Sequence, residues 1–565
     1  MDIREQLKLA HQDFASQDLK AAHSKIMGVL AAEPDNAQAL GLLSLVLRAS
    51  GNFKGSHQAI SKAVEIDPQS AEAHVSLGSL LIMIGQRSAA KAAFKRAVEI
   101  APTYITAIVN LGEVYMAQND PLEALAVFED GLRLLEGHPA LLRGRAFALQ
   151  ASLQYEAALE QLDQLPPEPD LMLNRGQILW QSERYEGARE CFKIAMSHAP
   201  TAIVALGNLV NLTYSVDGMK EAQKIVDALL MENPDNIILA GSSAQILLEL
   251  GDEKKAAKIL SAIKTKEPHP LIAGVKANMK LAKGDAEGAL EIIKVIQEKG
   301  GMNAGLLKAS VQALLMKGQG KEALQMIQQA RQFDSQNQAW LADHITAARQ
   351  IGEPYAPLYD YERLVKVYEI DAPPHYDSKK DFLGDLQNAL EALHHKSDAI
   401  LSPSKHAGRQ ITHNLIFEAD KTVQDLLKLM SKSVQDYLTH IGDAKDHPLT
   451  ARNGKKFRIA RAWSVRQEGE GFHANHIHAQ GWISATFFVT GPARKQGKTV
   501  KAGAMKFGEP PFKAPDKDGK SLKPEHWVQA KAGRLVIFPS YMWHGTEKYK
   551  SKAPRLTLSF DVLPD

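Results

Sequence analysis

The chain has 565 residues, which is too long for a single hydrophobic core and predicts two or more domains. Its 67 lysines and arginines nearly balance its 65 aspartates and glutamates. Because neither sign of charge dominates, composition gives no electrostatic reason to expect nucleic acid or an anionic membrane as a partner, and we set both aside.

Cys191 is the only cysteine, which excludes an intramolecular disulfide and fits a reducing compartment. We expect it to be a small buried apolar residue. The N-terminal segment lacks the apolar stretch of a signal peptide, and no window approaches the roughly 18 apolar residues of a membrane span. These features favour a soluble cytoplasmic protein.

Prolines recur every 34 residues in the first part of the chain, in two phased series. They are Pro34, Pro68 and Pro102, then Pro166, Pro200, Pro234 and Pro268. Between them, apolar residues at helical spacing and turn residues such as Gly51 and Gly85 divide each unit into two amphipathic helices. The spacing shortens between Pro139 and Pro166, which predicts irregular local curvature.

Small residues recur at matching positions of these units, for example Gly78 with Ala90 and Gly112 with Ala124. Close helix packing requires them. The period, the small residues and the terminal proline resemble the tetratricopeptide repeat (TPR) family. The resemblance covers roughly residues 4 to 350 and implies an all-α solenoid over 1–350, whose concave face binds a peptide or partner protein. A scaffold or dimerisation arm is the alternative.

The repeat pattern stops after residue 350, and we predict a second domain over 355–565. Two amphipathic helices, at 380–395 and 418–442, should pack on one face of a sheet. From Lys456 onward, short apolar runs at 457–465, 482–490, 533–540 and 555–563 predict an all-β core over about 456–565.

Nine lysines lie between Lys495 and Lys531. This long polar stretch is most simply a solvated insertion or lid, and binding of an acidic substrate is the alternative.

Three histidines and one arginine are the main candidates for a catalytic metal site. His476 and His478 stand two residues apart before a strand-like run, and residues two apart on a strand share a face, so both imidazoles could bind one metal ion. His544 follows another predicted strand, and Arg555 opens the last one. His473 is a fourth candidate, although a solvent-facing position is the simpler interpretation.

Arg555 and Thr557 share one face of the last strand, whereas Leu556, Leu558 and Phe560 line the other. The guanidinium and the hydroxyl should therefore point together into the barrel. A buried arginine requires an anionic partner.

The order of these motifs resembles the Fe(II)- and 2-oxoglutarate-dependent oxygenases, specifically the bacterial group in which TPR repeats precede the oxygenase domain. The motifs are His-x-His before Gly-Trp-Ile-Ser, then Gly-Arg-Leu-Val-Ile-Phe-Pro-Ser, a distal histidine and Arg-x-Thr. The resemblance implies a double-stranded β-helix, or jelly roll, with buttressing helices. The fold class is therefore α+β and multidomain.

By this resemblance the protein is a dioxygenase that uses Fe(II), 2-oxoglutarate and O₂, with ascorbate as a supporting reductant. The implied catalytic residues are His476, His544 and Arg555, the histidines as iron ligands. Arg555, assisted by Thr557, would hold the distal carboxylate of 2-oxoglutarate bidentately. The expected substrate is a protein or peptide side chain held by the repeats.

One position departs from the family pattern, because the common iron site is His-x-Asp/Glu with a distal histidine and His478 occupies the acidic position. Either His476, His478 and His544 all bind the metal, or His478 contacts the cosubstrate or water instead. Two further alternatives are a non-catalytic TPR scaffold with a degenerate oxygenase domain and a cupin-like metal enzyme. The cupin pattern requires a glutamate near Trp482 or Ile483.

Overall fold

The computed structural model describes residues 2–118, 120–265, 267–334, 336–353, 357–396, 400–401, 405–411, 414–491, 502–548 and 553–564. The chain divides into two compact units, Met1–Ile178 and Leu179–Asp565. No helix within the described residues is long and apolar enough to cross a membrane.

The described residues up to 351 form helices that pair along the chain through short turns. They are α1 (Ile3–Ala15), α2 (Leu19–Ala32), α3 (Ala37–Ala49), α4 (Phe53–Ile66), α5 (Ala71–Met83), α6 (Arg87–Ile100), α7 (Ile105–Ala117), α8 (Pro121–Leu134), α9 (Pro139–Ala151), α10 (Tyr155–Leu162), α11 (Pro169–Gln181), α12 (Tyr185–Ala195), α13 (Ala199–Asp217), α14 (Met219–Glu232), α15 (Ile237–Glu249), α16 (Glu253–Ala262), α17 (Pro270–Ala282), α18 (Ala286–Gln297), α19 (Ala304–Met316), α20 (Gly320–Phe333) and α21 (Gln338–Ile351).

Turn and packing residues explain the hairpins of the first unit. Gly51 has φ +78° at the turn between α3 and α4, a backbone conformation that favours glycine. Asn52 then caps α4, because its side chain accepts a 2.9 Å hydrogen bond from the Gly55 amide. A β-carbon at Gly78 would lie 2.6 Å from the Phe94 ring. The predicted helix pairs are confirmed, and the small residues at this period are required by close packing.

The irregular spacing between Pro139 and Pro166 has a local cause. The second helix of that pair, α10, has only eight residues, whereas α8 has fourteen. In the second unit, Cys191 is buried on α12, as expected.

Beyond the repeats, the second unit mixes helices with strands up to residue 452, and only strands follow within the described residues. The helices are α22 (Tyr361–Leu364), α23 (Lys379–Lys396) and α24 (Lys421–Ile441), with 3₁₀ turns at Leu415–Phe417 and Thr450–Arg452; the strands are β1 (Lys366–Glu369), β2 (Ile400–Leu401), β3 (Lys405–Gln410), β4 (Phe457–His473), β5 (Ile483–Phe488), β6 (Met505–Phe507), β7 (His526–Val528), β8 (Arg534–Pro539), β9 (His544–Thr546) and β10 (Arg555–Pro564). The two predicted helices, α23 and α24, are confirmed.

The strands form two antiparallel sheets. The larger has the order β1-β8-β5-β10-β4-β3-β2 and the smaller β7-β6-β9. The four predicted β runs are β4, β5, β8 and β10, which lie side by side in the larger sheet. This arrangement confirms the predicted fold class, a helical repeat region followed by an antiparallel β core with buttressing helices.

The lysine-rich stretch is partly packed and partly exposed. Residues 492–501 lie outside the described residues, but β6 and β7 belong to the smaller sheet, and Phe507 on β6 is fully buried. The described part therefore contributes two short strands to a sheet, whereas Lys513, Lys517, Lys520, Lys523 and Lys531 are exposed, as a solvated stretch predicts. A three-residue strand is too short to show alternation of apolar and polar residues, so the sequence did not reveal it.

Helix α21 belongs to the same apolar core as the β sheets. Leu341 and Ile345 on this helix join a buried cluster that contains Phe538 of β8. The Trp543 indole N–H donates a 3.0 Å hydrogen bond to Thr346 Oγ1, and Arg349 forms an ion pair with Glu525. The domain division at residues 350–355 stays a prediction, and these contacts cross it.

We predict that Leu341→Ala destabilises the full-length chain by about 2–5 kcal/mol, because it removes a fully buried leucine side chain from that shared core. Chemical denaturation measures the effect. Leu122→Ala is the matched control, since Leu122 is 57% exposed and should cost less than about 0.5 kcal/mol. Equal effects of the two substitutions would contradict the shared core.

Candidate metal centre

His476 and His544 face each other across an isolated antiparallel bridge. The His476 amide donates to the His544 carbonyl at 2.8 Å, and the His544 amide donates to the His476 carbonyl at 3.0 Å. Directly opposed residues of such a pair project their side chains to the same side. The two ring centroids are accordingly 4.3 Å apart.

His478 reaches the same place by an irregular route. It lies outside the strands, so the expected strand geometry of the His-x-His motif is wrong. Its amide donates to the Ser540 carbonyl at 3.0 Å, and its carbonyl accepts from the Gly481 amide at 3.1 Å. A side chain at Gly481 would collide with the Ser540 hydroxyl. A tight turn against β8 therefore directs His478 towards the other two rings.

Hydrogen bonds at Nδ1 fix the orientation of all three imidazoles. His476 Nδ1 lies 2.8 Å from the Ala474 carbonyl and His544 Nδ1 lies 2.9 Å from the Met542 carbonyl. His478 Nδ1 lies 2.5 Å from Asp561 Oδ1. Carbonyl and carboxylate oxygens only accept, so each Nδ1 is the donor. In a neutral imidazole the lone pair is then on Nε2.

These Nε2 atoms converge. Those of His476 and His478 are 3.3 Å apart, and one nitrogen from each of the three rings lies within 4.8 Å of the others. Two imidazole nitrogens that each bind one ion at about 2.1 Å can be at most about 4.2 Å apart, so the 3.3 Å pair fits a shared metal. Facing lone pairs at this distance repel unless a cation lies between them.

The environment keeps His544 in the neutral form that binds metals. Burial, reinforced by the neighbouring His476 and His478, lowers the pKa of His544 well below its usual value. A metal ligand must be deprotonated, so a depressed pKa favours binding. Phe538 packs against this ring with centroids 4.6 Å apart.

His473 stands apart from the cluster of three. Its ring is half-buried rather than solvent-facing, and its centroid is 6.2 Å from that of His476. Its backbone amide donates to Thr546 Oγ1 at 2.8 Å. In the described structure His473 supports the strand pairing next to the site.

Arg555 is buried at the start of β10, 2% exposed. It donates to the Gly503 carbonyl at 2.9 Å and to Thr546 Oγ1 at 3.3 Å, and it also contacts the side-chain oxygen of Gln467. Thr546 and His544 are two apart on β9 and share a face of that strand. The arginine thus borders the same interior as the histidines.

Thr557 is buried beside Arg555 on β10. The alternation on this strand continues through Ser559 to Asp561, giving a row of polar residues on one face. The predicted site residues on this strand end at Thr557 and do not include Asp561. Continuing the two-residue period along the same run would have marked it as a candidate.

Comparison with known families covers both parts of the chain. Residues 461–561 match the family model described as "Putative 2OG-Fe(II) oxygenase". Tetratricopeptide repeat models match residues 7–71, 71–104, 169–200 and 219–279. The chain therefore joins tetratricopeptide repeats to a domain of the 2OG-Fe(II) oxygenase family, as the motifs predicted. Comparison with curated proteins gives no match.

Solved structures of repeat proteins resemble parts of the chain. MamA is 22% identical over 33% of this chain and 95% of its own, with a TM-score of 0.26. PilF of Pseudomonas aeruginosa is 18% identical over 40% and 96%, with a TM-score of 0.31. A tetratricopeptide repeat protein from Parabacteroides merdae is 14% identical over 55% and 98%, with a TM-score of 0.30. Likenesses this low support no statement about ligands.

We predict that His478→Ala abolishes stoichiometric Co(II) binding by the chelator-treated full-length chain, because it removes one of three converging Nε2 donors. Calorimetry and the visible absorption of Co(II) measure this. His23→Ala, at an exposed position on α2, is the control and should bind like the wild type. Retention of wild-type affinity by His478→Ala would favour a two-histidine site.

Proposed function

We propose that the protein is an Fe(II)- and 2-oxoglutarate-dependent dioxygenase that hydroxylates a protein or peptide side chain recruited by its repeats. The observation that carries the proposal is the convergence of three Nε2 lone pairs, each fixed by a hydrogen bond at the opposite ring nitrogen. Imidazole ligands suit iron among other transition metals. The family match over 461–561 supports iron specifically.

His476, His478 and His544 would hold the iron, and Arg555 with Thr557 would hold 2-oxoglutarate. The contacts of Arg555 named above are to uncharged oxygens, and a carboxylate would be a stronger partner for the guanidinium. The buried hydroxyls of Thr557 and Ser559 lie along β10 between Arg555 and Asp561. A five-carbon dicarboxylate would extend from Arg555 towards the three histidines.

Bound Fe(II) and 2-oxoglutarate would supply O₂ activation, with oxidative decarboxylation of 2-oxoglutarate to succinate and CO₂ and hydroxylation of a substrate C–H bond. The chain itself orients the ligands and limits the access of water. Phe507 and Phe538 flank His544, and both are fully buried. Apolar side chains that exclude water from the metal suppress side reactions. Ascorbate would support turnover by keeping the iron reduced.

Recruitment by the repeats is the second part of the proposal. Tetratricopeptide repeats generally mediate protein interactions through a surface shared by successive hairpins. A cytoplasmic location would keep both Fe(II) and the single cysteine reduced. The scaffold alternative is less favoured, because a degenerate metal site would not be expected to keep the hydrogen bonds at Nδ1 that orient all three histidines.

The cupin-like alternative lacks its glutamate. Trp482 occupies that region and is buried, with its indole N–H donating to the Leu449 carbonyl at 2.9 Å. Ile483 begins β5 in the core. Neither residue can serve as a ligand.

Release of succinate tests the proposal. We predict that the chain with Fe(II), ascorbate and O₂ converts 2-oxoglutarate to succinate, alone or with cell lysate as the source of substrate. Arg555→Ala should raise the KM for 2-oxoglutarate by about 10- to 100-fold, because a hydrogen bond to a charged group contributes about 1.5–3 kcal/mol. Mass spectrometry of succinate and CO₂ release measures both.

Arg534→Ala is the control for this experiment. Arg534 pairs with Glu369 at the sheet edge and should leave the KM unchanged. Absence of succinate from the wild-type protein under every condition would refute the dioxygenase. An unchanged KM in Arg555→Ala would refute the carboxylate anchor alone.

A further inference from the structure

Asp561 lies directly behind His478, on the side away from the converging Nε2 atoms. Its Oδ1 accepts hydrogen bonds from His478 Nδ1 at 2.5 Å and from Ser484 Oγ at 2.7 Å. The side chains of His478 and Asp561 are only 12% and 17% exposed. Partial removal from water strengthens the interaction between this carboxylate and the imidazole.

The backbone around Asp561 is built to make this contact. On β10 it lies opposite Ser484 of β5, and the Ser484 hydroxyl is 2.8 Å from that of Ser540. The register between β10 and β4 shifts just after Asp561. Bulges of this kind re-aim side chains and are frequent next to active sites. The side chains of Asp561, Ser484 and Ser540 therefore form a polar cluster against which His478 packs.

The contact between Asp561 and His478 affects the charge of the metal centre, because no carboxylate is among the three converging ligands. Three neutral imidazoles add no negative charge to a divalent ion, whereas the common triad adds one. We propose that Asp561 is a positioning residue of the metal centre. It keeps the proton of His478 on Nδ1. Through that hydrogen bond it also supplies the negative charge that a metal ligand carries in the family pattern.

A carboxylate hydrogen-bonded to a ligating histidine fixes the tautomer and ring orientation and makes the imidazole a better donor to the metal. Asp561 can do so for His478 only, since His476 and His544 direct Nδ1 to backbone carbonyls. The arrangement explains how histidine can stand at the acidic position of the motif. The inference rests on the proposed metal site and specifies its charge.

Metal affinity tests the inference without reference to turnover. The full-length chain, treated with chelator, is titrated with Co(II) by calorimetry and visible absorption. Asp561→Asn keeps the shape of the side chain and removes its charge, and we expect it to raise the Kd for Co(II) by about 10- to 100-fold. It should also shift the Co(II) absorption bands and reduce the increase in Tm that the metal produces.

Asp385→Asn is the matched control, because it removes the same charge from an exposed position on α23 and should keep the Kd within about twofold of wild type. Ser484→Ala removes the hydroxyl that holds Asp561 but retains the charge, so we expect a smaller, several-fold increase in Kd. If the metal-free Asp561→Asn protein fails to fold, Ser484→Ala is the variant that tests the inference. A wild-type Kd in Ser484→Ala would then overturn it.

Two failures can be told apart. A wild-type chain that binds neither Co(II) nor Fe(II) would overturn the proposed function together with this inference. A wild-type chain that binds Co(II), alongside an Asp561→Asn protein with the same Kd and the same absorption bands, would overturn the role of Asp561 alone.

Discussion

A hydrogen bond at Nδ1 of each of three histidines is the constraint on which the site depends. The Ala474 carbonyl, the Met542 carbonyl and the Asp561 carboxylate each accept one. Because these oxygens cannot donate, the proton position on each ring is decided and the remaining lone pairs are directed at one another. Such an arrangement raises the free energy of the folded chain when no cation is bound, and it favours binding of a cation.

Elements remote in sequence make these hydrogen bonds possible. The bridge between His476 and His544 joins the segment after β4 to β9, and β10 carries Arg555 and Asp561 on one face between β4 and β5. Helix α21 supports the residue before His544 through the hydrogen bond between Thr346 and Trp543. Helix α21 therefore packs on the same β core that carries His544, through the residue next to that histidine.

The sequence predicted what depends on local periodicity. The 34-residue period identified the helix pairs because successive units repeat similar packing, as at Gly78 against Phe94, and long apolar runs identified β4, β5, β8 and β10. It could not predict β6 and β7, which have three residues each among many lysines. The two-residue period places Asp561 on the polar face of β10, but it could not predict the contact with His478, because that contact depends on the register between β10 and β5.

Anomalous diffraction at the iron absorption edge, from crystals grown with Fe(II) without oxygen, tests the central claim most directly. We predict one iron peak within bonding distance of Nε2 of His476, His478 and His544, with Asp561 hydrogen-bonded to His478 and outside bonding distance of the metal. No iron peak among these histidines, or a peak bonded to the Asp561 carboxylate in place of His478, would contradict it.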